Sequence, residues 1–195
     1  MIQSFGFEPT DGQAIVLYHL SAFLLSQKEN PTYILRGYAG TGKTTLVKTL
    51  VKTLPYIGMR YVLMAPTGRA AKVLSSYTGQ GASTIHRRIY QAMTYPDGSI
   101  RIARAENKFK NALFIVDEAS MIGEQKEFGG SSLLDDLLSY VFSGENCRLF
   151  IVGVHGKGCQ KKCDKQTYFF HFHRILKRQK YVFFGKVHPF VNQNV

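Results

Sequence analysis

Two stretches of this 195-residue chain hold the residue types that handle phosphate groups. The first, Gly37-Tyr38-Ala39-Gly40-Thr41-Gly42-Lys43-Thr44, fits G-x-x-x-x-G-K-[ST]. Glycines let successive backbone N–H groups turn inward around phosphate oxygens, and a helix starting there adds its partial positive charge. Lys43 would reach the outer phosphates, and the Thr44 hydroxyl would hold Mg²⁺. The second stretch, Asp117-Glu118, follows about 70 residues later, after the apolar run Ala112–Val116. There Asp117 would hold the metal, and Glu118 would orient or deprotonate an attacking water. A third candidate is Gln13, whose carboxamide has the geometry to pair with adenine N6 and N7.

These groups need elements to place them. Thr32–Arg36 reads as a short buried strand entering the glycine loop. Thr44–Leu54 reads as a helix leaving it, with Leu46, Val47, Leu50, Val51 and Leu54 on one side. Upstream, Thr10 and Gln13 have capping-box spacing at the start of a helix over about Asp11 to Ser26. Tyr61–Ala65 reads as a strand ending in Pro66-Thr67-Gly68-Arg69-Ala70-Ala71, followed by a helix to about Tyr77. Ser83-Thr84 would cap a short helix carrying His86, Arg87 and Arg88. Small, hydroxylated and basic residues at strand ends suit backbone phosphates. They are equally ordinary turn chemistry on a solvated basic face. Tyr95–Ser99 reads as a turn returned by Ile100–Ala103, Leu133–Val141 as a helix begun by Ser131-Ser132, and Arg148–Val152 as a strand reaching Gly153. Strands alternating with helices predict an α/β fold with an open, mainly parallel sheet, helices on both faces and ligands at the carboxyl ends of the strands.

Composition narrows the class. Hydrophobic content of 45% and charged content of 19% suit a soluble globular protein with one core. No apolar run reaches the length of a membrane span, and the start lacks a secretory signal, so a cytoplasmic location is expected. The three cysteines, Cys147, Cys159 and Cys163, suggest no disulfide framework. Of the net charge of +12, +8 comes from Val154 onward, which leaves the motif-bearing part only mildly basic.

The order of these motifs resembles the RecD-like and Dda-like DNA helicases of superfamily 1, which move 5′ to 3′, from about Phe7 to Gly153. Phe7-x-Pro9-Thr10-x-x-Gln13 resembles their adenine-reading motif. Gly37 through Thr44 and Thr45 is similar to motif I, Ala65–Ala71 to motif Ia, Ser83–Arg87 to the next DNA-contacting segment, and Val116–Met121 to motif II. The resemblance implies a RecA-like P-loop fold over residues 1–153 and a nucleotide site of Gln13, Gly37, Gly40, Thr41, Gly42, Lys43, Thr44 and Thr45. It also implies Mg²⁺ at Thr44 and Asp117, and single-stranded DNA contacts at Pro66, Thr67, Arg69 and His86.

After Gly153 the family's Asp-x-x-Gln-Leu-Pro does not follow. Residues 154–195 read instead as a basic, aromatic-rich tail outside the resemblance, disordered or loosely packed, as a frame slip or truncated gene would produce. Two functional readings of that tail are nucleic-acid stacking and a zinc site from Cys159, Cys163, His171 and His173, the latter at poor spacing. No segment reads as the family's second RecA-like domain. The resemblance therefore implies the ATP- and Mg²⁺-binding motor domain of an ATP-dependent DNA helicase, unable to unwind alone unless a partner chain supplies that domain. Alternatives are a catalytically inert nucleotide- or DNA-binding remnant and a P-loop ATPase or kinase of another class.

Overall fold

Strands that read Tyr-Ile-Leu or Ala-Leu-Phe-Ile-Val, without polar alternation, must be covered on both faces. A computed structural model describes residues 6, 8–37, 40–123, 130–154 and 182–187 and shows how they are covered. The chain begins with α1 (Asp11–Leu24), β1 (Thr32–Gly37), α2 (Lys43–Thr53), β2 (Arg60–Ala65) and α3 (Gly68–Thr78). Next come β3 (Ala82–Thr84), α4 (Ile85–Ile89) and a hairpin of β4 (Tyr90–Thr94) and β5 (Ile100–Arg104). The last described elements are β6 (Ala112–Val116), α5 (Leu133–Phe142), β7 (Arg148–Val154) and β8 (Val182–Val187).

Among the described residues six strands form one sheet in the order β3-β2-β6-β7-β1-β8, every pair parallel. Parallel pairing needs crossovers, and α2, α3 and α5 lie between β1 and β2, β2 and β3, and β6 and β7, as the alternation of elements predicted. One face of the sheet (Tyr33, Leu35, Leu63, Leu113, Ile115, Phe150) packs on Leu17, Leu20 and Phe23 of α1, Leu46 and Leu50 of α2 and Leu74 of α3. The other face (Ile34, Met64, Phe114, Val116, Leu149, Ile151) packs on Ile85 and Ile89 of α4 and Leu134, Leu137 and Val141 of α5. Adjacent residues Tyr33 and Ile34 thus serve opposite cores, which is why the strands carry no polar face.

Helix starts are fixed by local chemistry. Thr10 and Gln13 complete a reciprocal capping box at α1, and Thr67, Thr84 and Ser132 cap α3, α4 and α5 through their side-chain oxygens. Tyr95–Ser99 is the hairpin tip, with Gly98 at φ +76°.

Val182–Val187, in the segment read as a disordered or loosely packed tail outside the resemblance, forms the edge strand beside β1, with Thr32 opposite Val182 and Gly37 opposite Val187. A run of β-branched and aromatic residues is strand-forming whether or not it carries a family motif. Phe7, Tyr38, Ala39, residues 155–181 and 188–195, and with them the four candidate zinc ligands, lie outside the described residues.

Candidate functional site

The loop after β1 is built on backbone only glycine adopts cheaply. Gly40 and Gly42 have φ of +78° and +86°. Gly42 is the N-cap of α2, no side chain caps that helix, and its first turn carries no acid. A helix start of this kind keeps its partial positive charge available to an anion. Lys43 opens α2, and its Nζ donates to the Gly37 carbonyl at 2.9 Å. Thr44 is exposed and Thr45 half-buried. Burial pulls the Lys43 ammonium below its usual range, and the Glu118 and Asp117 carboxylates push it back. Lysine and acid pair therefore share one electrostatic field.

The acids arrive on the next strand but one. β6 ends at Val116, which lies opposite Met64 of β2, and the Asp117 amide donates to the Met64 carbonyl at 3.0 Å. Asp117 Oδ1 accepts from the Glu118 amide at 2.9 Å, and Oδ2 accepts from the Tyr77 hydroxyl at 2.5 Å. Glu118 sits at φ 53°, ψ 35°, in the left-handed region, at the start of a 3-10 turn over Ala119–Met121. For a residue with a Cβ that conformation costs about 1–2 kcal/mol. Burial first, then the Asp117 charge, raises the Glu118 carboxyl above its ordinary value, and Lys43 opposes the rise. A carboxyl moved toward neutral pH is a better proton acceptor for water.

Gln13 is 5% exposed and faces this loop. Its Oε1 accepts from the Thr10 amide at 3.1 Å, and its Nε2 donates to the Thr41 carbonyl at 3.4 Å. A Cβ on Gly42 would lie 2.6 Å from that Nε2. The carboxamide thus ties the start of α1 to the glycine loop. One N–H and one lone pair remain for a further partner.

Pro66, Thr67 and Arg69 leave β2, and His86 follows β3. These two strands pair with Ala65 opposite Thr84, so the two segments emerge side by side at one edge of the sheet. The Thr67 hydroxyl accepts from the Ala70 amide at 3.2 Å, while Arg69 and Arg87 are exposed. His86 lies half-buried with its ring 5.9 Å from that of Tyr90. The sequence groups read as phosphate loop, acid pair and basic edge all lie at the carboxyl ends of parallel strands, the position the strand–helix alternation predicts for ligands.

Thr44 and Asp117 offer hard oxygen donors of the kind Mg²⁺ takes. Among the described residues no group of three or more His, Cys, Asp or Glu could hold a metal by itself. Tyr77 is the site residue that sequence reasoning missed. Its position in the last turn of a helix gives no motif, and only the fold shows its hydroxyl reaching Asp117.

A family model described as an AAA domain matches residues 22–155. Over 121 residues the chain is 35% identical to the ATP-dependent RecD2 DNA helicase of Deinococcus radiodurans, covering 62% of this chain and 15% of that protein. Over 115 residues it is 34% identical to the ATP-dependent DNA helicase dda of Enterobacteria phage T4, covering 57% of this chain and 26% of that one. The fold is similar to that of Pif1 from a Bacteroides species, solved with ADP-AlF4, with a TM-score of 0.53 at 20% identity over 95% of this chain and 43% of that chain. It is also similar to the Pif1 helicase from Candida albicans, with a TM-score of 0.55 at 18% identity over 96% of this chain and 41% of that one. The chain therefore spans less than half the length of these relatives. No helix among the described residues is long and apolar enough to cross a membrane.

Proposed function

Since the chain belongs to the AAA-domain family whose model spans residues 22–155, we propose that it is the ATP-binding motor domain of a DNA helicase, acting in the cytoplasm. The observation that carries this reading is the shared field of Lys43, Asp117 and Glu118 beside an uncapped helix start. Lys43 and the amides at the start of α2 would neutralise the phosphates, with Gly37, Gly40, Thr41, Gly42 and Thr45 shaping their seat. Mg²⁺, held by Thr44 and Asp117, would supply further neutralisation of phosphate charge. Glu118 would accept a proton from the attacking water, helped by the raised affinity of its carboxyl. Gln13 would read adenine with the hydrogen-bonding capacity it has left.

Single-stranded DNA would lie along the edge offered by Pro66, Thr67, Arg69 and His86. β2 links that edge directly to the acid pair, through the Asp117 amide on the Met64 carbonyl. A second cationic group brought from another domain or a partner chain would add roughly 10³–10⁵ in rate. These 195 residues alone are therefore expected to bind Mg·ATP, hydrolyse it slowly and leave duplex DNA intact.

The deciding experiment is ATP hydrolysis by the purified chain, with and without single-stranded DNA, beside Lys43→Ala. Slow turnover that DNA stimulates and Lys43→Ala abolishes is expected. Nucleotide binding and turnover unchanged by Lys43→Ala would defeat the proposal.

A further inference from the structure

Tyr77 is used by none of the chemistry above, yet its hydroxyl donates to Asp117 Oδ2 at 2.5 Å across 40 residues of sequence. Among the described residues, the other side-chain oxygen, Oδ1, is held by the amide of the adjacent Glu118 alone. A contact between neighbours moves with the residue it contacts and gives little restraint on the carboxylate plane. The Tyr77 ring, by contrast, packs against the core cluster that includes Leu74 and Leu63, so its hydroxyl is a fixed point. Two hydrogen bonds occupy two of the roughly four lone-pair sites of an ionised carboxylate, which leaves room for a cation.

Tyr77 also belongs to α3, whose first residues follow Pro66 and Thr67 and include Arg69. The carboxylate is thereby fastened to the same helix that begins at the proposed DNA edge. We infer that Tyr77 is a positioning residue for Asp117, holding the metal-binding carboxylate in register with α3. The inference rests on the reading of Asp117 as a Mg²⁺ ligand.

The test uses Tyr77→Phe in the full 195-residue chain, which keeps the ring and removes only the donor. Anisotropy of a fluorescent ATP analogue is followed as Mg²⁺ is titrated, and again in EDTA. Partners that orient a metal ligand typically set metal affinity by 10–100-fold, so the half-saturating Mg²⁺ concentration is expected to rise about tenfold. Metal-free nucleotide affinity is expected to stay as in the parent chain, a split that a merely structural role would not produce. An unchanged or lower Mg²⁺ requirement, or equal weakening with and without metal, would overturn the inference while leaving the nucleotide site standing. If the parent chain binds no nucleotide, or binds it without response to Mg²⁺, the reading of the site falls and the inference with it.

Discussion

Gly42→Ala should be far more damaging than one methyl group suggests. Gly42 has φ +86°, where a Cβ costs about 1–2 kcal/mol. The new Cβ would also stand 2.6 Å from Gln13 Nε2, closer than any relaxed contact. The end of a glutamine side chain normally moves aside at small cost. Here it is engaged, with Oε1 accepting from the Thr10 amide and Nε2 donating to the Thr41 carbonyl. Displacing it forfeits up to two hydrogen bonds, each worth about 0.5–1.5 kcal/mol. With both bonds lost the total is about 2–5 kcal/mol, which for a chain of this length lowers Tm by roughly 4–20 °C.

Thermal unfolding without nucleotide, followed by circular dichroism, measures it. The sharper test is a double-mutant cycle with Gln13→Ala. Once the carboxamide is gone, alanine at 42 should cost only the backbone part, so the two changes should couple by about 1 kcal/mol or more. Additivity within about 0.5 kcal/mol would refute the steric argument. A single Gly42→Ala variant melting with the parent would refute the conformational argument too.

Three further outcomes are expected. Glu118→Gln should keep nucleotide binding, lose turnover and raise stability at neutral pH. The parent carboxyl is raised in the fold, so its stabilising contribution is full below the ordinary glutamate value and is lost as pH rises through the raised one. The Tm advantage of the variant should therefore grow from pH 4 to pH 7, and a flat difference would contradict the shift. Asp136→Ala should loosen the β4–β5 hairpin, because its carboxylate accepts from Tyr90 OH at 2.6 Å, Ser131 Oγ at 2.8 Å and Arg104 at 3.4 Å. A loss of about 2–3 kcal/mol and faster proteolytic nicking at Tyr95–Ser99 are expected, and unchanged nicking would show the hairpin is held elsewhere. Phe150→Ala, which empties the core beside Tyr33 at 5.7 Å between ring centroids, should cost about 3–5 kcal/mol in urea unfolding.

Much of this was legible from local rules. The strand, glycine loop and helix around Lys43 follow from apolar runs and one motif, and Thr10, Ser132 and Thr84 announced helix starts because capping is a contact within three residues. The strand Ala112–Val116 delivered Asp117 and Glu118 where a buried run ending in acids should. What stayed hidden depends on contacts across the sequence or on backbone angles. Tyr77 reaches Asp117 only because α3 packs over the sheet. Gln13 suggested adenine and a cap, but its grip on Thr41 requires α1 to lie beside the loop. Val182–Val187 was read by family motif rather than by strand propensity, so its place beside β1 was missed.

If Glu118 has the proposed role, its left-handed backbone sets stability and chemistry against one another. Glycine at that position would relieve both the Cβ strain and the repulsion from Asp117. Under the proposed role, the acid is held at this position for its chemistry and at a cost to the fold. In libraries screened only for soluble expression, position 118 should tolerate glycine and asparagine readily. In libraries screened for turnover it should accept almost nothing but the acid.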